Sequence, residues 1–325
     1  MSRKASRRTF LKLSAAAASL TATELAHALP AVRRISIVTI SDPDYPLANT
    51  EPVAWATEKL REVITPSRLA TPQQRADFAI VIHTAIYPLG KTLPSRLTFT
   101  HPEAIAFIPA DYKGTPAVTV SGSDARGLMY GILELVERIR FSDDPIASLT
   151  FPAPFTEASP NRVRSVARGF CSEIEDKSWF YDRAFWTAYL DTLATARFNR
   201  FAFTLGLAYD FPRGVTGDYL HFPYPYLVEV SGYEGVHVEP ALQPGERQRN
   251  LETLQFIAAE TARRGMDFQL GIWTHAYEWT DSPHSDHHIV GLTPETHATY
   301  CRDALSAILK ACPQITGLTM RIHGE

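Results

Sequence analysis

The chain predicts an α/β protein. A small α+β N-terminal domain is followed by parallel β/α units, about four of them, that form an incomplete (β/α)8 TIM-type barrel. Three observations carry this reading. Residues 31–150 mix strands with two amphipathic helices. From Ser165 onward the rhythm becomes β-α-β-α-β-α-β, and such alternation implies a parallel sheet. Between them, 141–164 is rich in Pro, Ser and Asp. That is the composition of a linker, here 151–164, or of a short edge strand.

Each element has its own signal. RRISIVTIS (33–41) alternates like a strand. EPVAWATEKLREVI has helical spacing, with Pro52 in the first turn. DFAIVIHT (77–84) is apolar enough to be buried on both faces. AIAFIPADYKGTPAVTVSGSD (104–124) reads as two strands joined by a turn at Lys113-Gly114. ARGLMYGILELVERIRF is a helix with Leu128, Ile132, Leu135, Val136 and Ile139 on one face, capped by Ser123 or Asp124.

In the second region SVARGF is a strand, FYDRAFWTAYLDTLATARF a single helix and NRFAFTL a strand. A long loop (206–243), full of Tyr, Pro and Gly, comes next. ERQRNLETLQFIAAETARRG is a helix ended by Gly265, and MDFQLGIWTH is a strand. TPETHATYCRDALSAILKAC is a helix with Thr293 as cap and Pro294 at its first position. ITGLTMRIHGE is the fourth strand, and the chain stops on its tip at Glu325. A barrel takes about 250 residues, so 165–325 is expected to be an N-terminal half barrel. Its two open edges and uncovered apolar faces are expected to make it aggregate or be inactive alone.

Bulk composition excludes little. Over 325 residues the net charge is −3, which gives no reason to expect nucleic acid or an anionic membrane as partner. Glycine-rich phosphate loops are missing after every strand, so no cofactor is expected. The N-terminus is more specific. SRRTFLK (Ser6 to Lys12) follows a basic start, precedes an Ala-rich apolar run and is followed by an Ala26-His27-Ala28 cleavage pattern. It matches the twin-arginine export signal, with Arg7 and Arg8 as the pair. The expected signal is 1–28, the expected partner the twin-arginine machinery, and the expected location the periplasm or beyond. No other segment is long and apolar enough to span a membrane. Cys171, Cys301 and Cys312 read as free or buried thiols.

Barrel enzymes keep their chemistry at the carboxyl ends of the strands. Arg168 lies there on the first strand. Trp273, His275 and Glu278 lie there on the third, and His323 and Glu325 on the fourth. These side chains are expected to converge on one mouth, with Glu325 the candidate catalytic acid. SPHSDHH (282–288) is rich in metal-capable groups. It lacks helical His spacing and reads as a solvated loop, so no metal site is assigned.

The order of parts resembles glycoside hydrolases that join a small α+β domain to a (β/α)8 barrel. VSGSDARGLMYGILELVERI, with its Gly127 to Gly131 phrase, is similar to the end of the first domain in family 20 β-N-acetylhexosaminidases and family 67 α-glucuronidases. ARGF resembles the first barrel strand of the hexosaminidases, with Arg168, Gly169 and Glu173 matching their Arg-Gly and following acid. ATARFN, ending at Asn199, resembles the phrase that follows. The resemblance implies a carbohydrate substrate, with Arg168 and Glu173 binding it. Gly324 stands where hexosaminidases hold the acetamido group with Asp, which puts substrate-assisted cleavage in doubt. Two further readings stay open. One is an exported carbohydrate-binding protein without catalysis. The other is a metal-dependent sugar isomerase using His275 and the 284–288 cluster.

Overall fold

The computed structural model describes residues 33–40, 46–83, 99–206, 219–273 and 287–320. Two mixed α/β layers are built in chain order. The first sheet has the order β1-β2-β4-β3-β5. Its strands are β1 (Ile35–Ile40), β2 (Phe78–His83), β3 (Ile105–Tyr112), β4 (Thr115–Gly122) and β5 (Phe155–Glu157). β1, β2 and β4 run parallel, and β3 is antiparallel to both β4 and β5. Part of the predicted linker is therefore an edge strand. The β3–β4 turn falls at Lys113 (φ 53) and Gly114 (φ 79), as the sequence predicts.

Helices α1 (Glu51–Val63) and α2 (Ala125–Arg140) cover one face of this sheet. Leu128, Ile132, Leu135 and Val136 are buried with Ile80, Ile82, Phe107 and Val120. The Gly127 to Gly131 phrase has a packing cause. A Cβ on Gly127 would lie 2.4 Å from the Ala104 carbonyl oxygen, and one on Gly131 2.7 Å from Val120. The helix sits directly on β3 and β4 because these positions carry no side chain. Of the two cap candidates Asp124 is the one used, accepting the Gly127 amide at 2.8 Å, while Ser123 accepts the Ala104 amide at 3.0 Å and ties the helix start to β3. A short helix α3 (Pro145–Ser148) leads toward β5.

The second sheet has four parallel strands in chain order: β6 (Ser165–Gly169), β7 (Arg200–Leu205), β9 (Asp267–Ile272) and β11 (Ile315–Met320). The helix expected over 180–198 is α5 (Arg183–Thr195), and a helix not expected from the sequence, α4 (Glu173–Phe180), precedes it. Asp182 separates the two by capping α5 through the amides of Ala184 and Phe185 at 2.9 and 3.1 Å. The long loop after β7 contains a short helix α6 (Tyr224–Leu227) and strand β8 (His237–Glu239). α7 (Glu246–Arg263) connects to β9, and α8 (Pro294–Ala311) connects β10 (His288–Val290) to β11. Among the described residues no helix is long and apolar enough to cross a membrane.

Register decides the two faces of this sheet. Phe201, Phe203, Leu205, Phe268, Leu270 and Ile272 are buried. Several of them meet Trp186 of α5, whose ring lies 5.8 and 5.4 Å from those of Phe201 and Phe203. The opposite face carries Ala202, Thr204, Gln269, Gly271 and Thr319. It is polar and small rather than aliphatic. On the edge strand β11 the apolar side chains of Leu318 and Met320 are 38 % and 43 % exposed.

One carboxylate ties the layers together. Glu103, just before β3, accepts from Asn199 Nδ2 at 3.0 and 3.2 Å, from Arg126 at 3.3 Å and from Arg164. Arg126 continues to Asp267 at the start of β9. Burial by itself would raise the Glu103 carboxyl, but these donors hold it below its ordinary 4.5. A carboxylate depressed by folding adds stability above its unfolded value, and that stability disappears as pH falls through the folded one. Glu103→Gln should cost about 3 kcal/mol at neutral pH, because it leaves cations without their partner. In urea melts the gap between wild type and variant should narrow as pH falls below 4.5. Gly127→Ala should cost roughly 2 kcal/mol by overpacking against a rigid carbonyl, read as a lower thermal midpoint.

Candidate functional site

The carboxyl ends of β6, β7 and β9 carry the loops that meet. Asp176 shapes the first of them. One of its oxygens accepts the amides of Cys171 and Ser172 at 2.6 and 2.9 Å, and the other accepts Trp179 Nε1 at 2.9 Å. This folds the chain back at the end of β6 and starts α4 at Glu173. The loops after β7 and β9 are stitched to each other: β8 and β10 pair antiparallel, with Val238 opposite Ile289.

Glu173 stands where these loops come together. Lys177 Nζ donates to one of its oxygens at 2.5 Å, and His287 Nε2 lies 3.1 Å from the other. Lys177 also reaches Glu246 at 2.9 Å and sits 4.1 Å over the Tyr219 ring. Tyr219 donates to Glu246 at 2.9 Å, and buried Asn250 bonds to it in turn. His287 is edge-on to Tyr219 and Tyr226, with ring centroids 5.6 and 6.1 Å away.

The electrostatics follow from this chain of contacts. Burial would raise Glu173, but the bonds from Lys177 and His287 outweigh it and hold the carboxyl below its ordinary value. Glu246 is held down likewise, against burial, by Lys177, the Gln243 amide and Tyr219. Burial would lower Lys177, yet its two carboxylates raise it. Burial raises the Tyr219 hydroxyl. Glu173 is therefore an ionised acceptor. A carboxylate offers about four lone-pair sites; two are engaged, and the side chain remains 29 % exposed. It can accept further hydroxyl protons but is poorly suited to donate one. The Lys177 ammonium lies between the Glu173 and Glu246 carboxylates. Among the described residues no group of three or more His, Cys, Asp or Glu could hold a metal ion.

The predicted site residues are not all brought together. Arg168 is a correction. It pairs in register with Phe203 and so faces the helices, not the opposite face. Its guanidinium lies 4.0 Å over Trp179, 4.9 Å over Phe185 and 5.6 Å over Tyr189. Trp273 continues β9 through a 2.9 Å bond from its amide to the Leu205 carbonyl. Strand alternation puts it on the face of Gly271, opposite Arg168. Convergence of Arg168 and Trp273 on one mouth is therefore not what the register builds. Of the segment 282–288 read as a solvated loop, His287 is 14 % exposed and packed on aromatic rings, and 282–286 lie outside the described residues. The described stretch 219–228 of the aromatic loop after β7 is core as well, with Tyr219, Phe222, Tyr224 and Tyr226 at 1–2 % exposure. Glu325, His323, His275, Glu278, Arg7 and Arg8 lie outside the described residues.

Lys177, Glu246 and Tyr219 were not anticipated. The first was findable, since it follows Glu173 by one helical turn. Glu246 and Tyr219 come from a distant loop and carry no local signal. Lys177→Met should leave two carboxylates facing each other. A stability loss of roughly 1 kcal/mol is expected at pH 7, reduced by solvent screening. Acidification should restore part of it as one carboxyl takes a proton, whereas wild type keeps this contribution until pH falls below the ordinary carboxyl value of 4.5. Chemical melts at pH 7 and pH 5 would separate the two.

No protein-family model matches the chain, and no curated protein matches it. Solved structures do. A GH138 enzyme targeting pectin rhamnogalacturonan II superposes with a TM-score of 0.59 at 19% identity, over 88% of this chain and 30% of that one. A GH20 β-N-acetylhexosaminidase from Streptomyces coelicolor A3(2) gives 0.48 at 13% identity, over 88% of this chain and 54% of that one. The chain thus spans about a third of the first and half of the second. The fold is that of a diverged glycoside-hydrolase-like protein.

Proposed function

We propose that this chain belongs to an exported glycoside hydrolase and acts on O-glycosidic bonds of a polysaccharide or oligosaccharide. The observation that carries the reading is Glu173: an ionised, partly exposed carboxylate at the carboxyl end of the first parallel strand, in a fold shared with a GH138 enzyme over most of the chain. In this reading 31–150 is the α+β domain, and 165–325 contributes four β/α units of a barrel. Glu173 accepts substrate hydroxyls, and Trp273 supports the sugar from the loop after β9.

Glycoside hydrolysis uses two carboxyl groups, one of which stays protonated to serve the leaving oxygen. Glu173 and Glu246 are both held ionised, so neither suits the acid role. That role is assigned to Glu325, at the end of the fourth strand by sequence. His275, Glu278 and His323 are assigned to the same mouth. Arg7 and Arg8 would direct export by the twin-arginine route. The GH138 neighbour's target makes pectin rhamnogalacturonan II the first substrate to try.

The protein carrying Glu325→Gln should release sugar from that substrate about 10²–10⁴ times more slowly, with KM little changed. Glu173→Gln should chiefly raise KM. Reducing-end assays on rhamnogalacturonan II fragments read both. Sugar binding that survives Glu325→Gln, with no release by wild type from any glycan, would favour a carbohydrate-binding role without catalysis.

A further inference from the structure

We propose that His287 is a positioning residue for Glu173, and that with Lys177 it presents this carboxylate to a sugar hydroxyl. The ligand half of this rests on the carbohydrate reading above; the contact itself does not. A glutamate side chain has three rotatable bonds, and an acceptor is selective only when its oxygens are held. Lys177 holds one oxygen, but it belongs to the same helix as Glu173 and moves with it. His287 holds the other from a different loop.

That loop is itself anchored. His288, next in the chain, pairs with Glu239 and Ile289 with Val238. The His287 ring is wedged edge-on against Tyr219 and Tyr226. Imidazole is rigid, so its Nε2 gives Glu173 a reference fixed outside α4. Among the described residues the charged and titratable groups around the pair are Lys177 and Glu246, with the hydroxyls of Tyr219 and Tyr226. Among the described residues two lone-pair positions of Glu173 then remain, aimed by one contact from its own helix and one from another loop, for a ligand donor.

The test uses the full chain and two readouts. In carboxyl carbon-13 NMR titrations, His287→Ala should move the Glu173 midpoint upward by at least about 0.5 pH unit, and His287→Gln, which keeps an amide donor, by less. On an array of neutral, N-acetylated and acidic oligosaccharides, His287→Ala should weaken binding about tenfold, with His287→Gln closer to wild type. Glu173→Gln serves as the site control, and thermal melts verify folding. An unmoved midpoint in both His287 variants overturns the positioning role. A moved midpoint with unchanged sugar binding overturns its link to the ligand. If the midpoint moves but wild type binds no oligosaccharide, the positioning role stands and the carbohydrate reading fails.

Discussion

The Glu103 carboxylate is the constraint on which the arrangement of both layers depends. It gathers Arg126 from α2, Arg164 from the approach to β6 and Asn199 from the approach to β7. Each donor is then committed elsewhere in the second sheet. Asn199 accepts the Arg164 amide at 2.8 Å and, through its carbonyl, the Asp267 amide at 2.9 Å. The starts of β6, β7 and β9 are thus aligned by one residue of the first layer. Glu103 itself is held at φ 56, a region that costs a non-glycine residue about 1–2 kcal/mol. Such strain persists where surrounding bonds over-determine it. Here Asp124 accepts the Glu103 amide at 2.8 Å while the side chain is fixed by its donors.

Alignment at the amino ends has consequences at the carboxyl ends. Parallel strands in register bring their loops to one level, so α4, the β8–β10 ribbon and the start of α7 can touch. The Glu246–Lys177–Glu173–His287 chain is the contact between them. Lys177 lies between the two carboxylates, and each carboxyl is held below its ordinary value because its hydrogen-bond donors, Lys177 first, outweigh its burial. The site is therefore a product of packing at a distance, and of the Asp176 and Asp182 turns that bracket α4.

The same register explains why the mouth differs from its reading in sequence. A strand shows only alternation; which parity faces the helices depends on its neighbours. In β6 the sequence SVARG puts Val166 and Arg168 on one parity and Ala167 and Gly169 on the other. Pairing with β7 sends the Arg168 parity toward the helices, beside Phe203. An arginine can occupy that side because Trp179, Phe185 and Tyr189 accept its guanidinium on their ring faces. The resemblance to hexosaminidases located the strand correctly, but it does not specify the direction of a side chain.

Local chemistry determined most of the elements by itself. The strands and long helices follow from periodicity, the β3–β4 turn from Lys113-Gly114, the end of α7 from Gly265, and the start of α8 from Thr293 and Pro294. These signals act within a few residues, where backbone sterics and capping decide. Only the tertiary structure decided that 219–228 of the aromatic loop after β7 is core, that His287 is packed rather than solvated, and that Glu173 shares Lys177 with Glu246. Those outcomes join segments far apart in the chain. Their energies depend on burial and on donors that no local window contains.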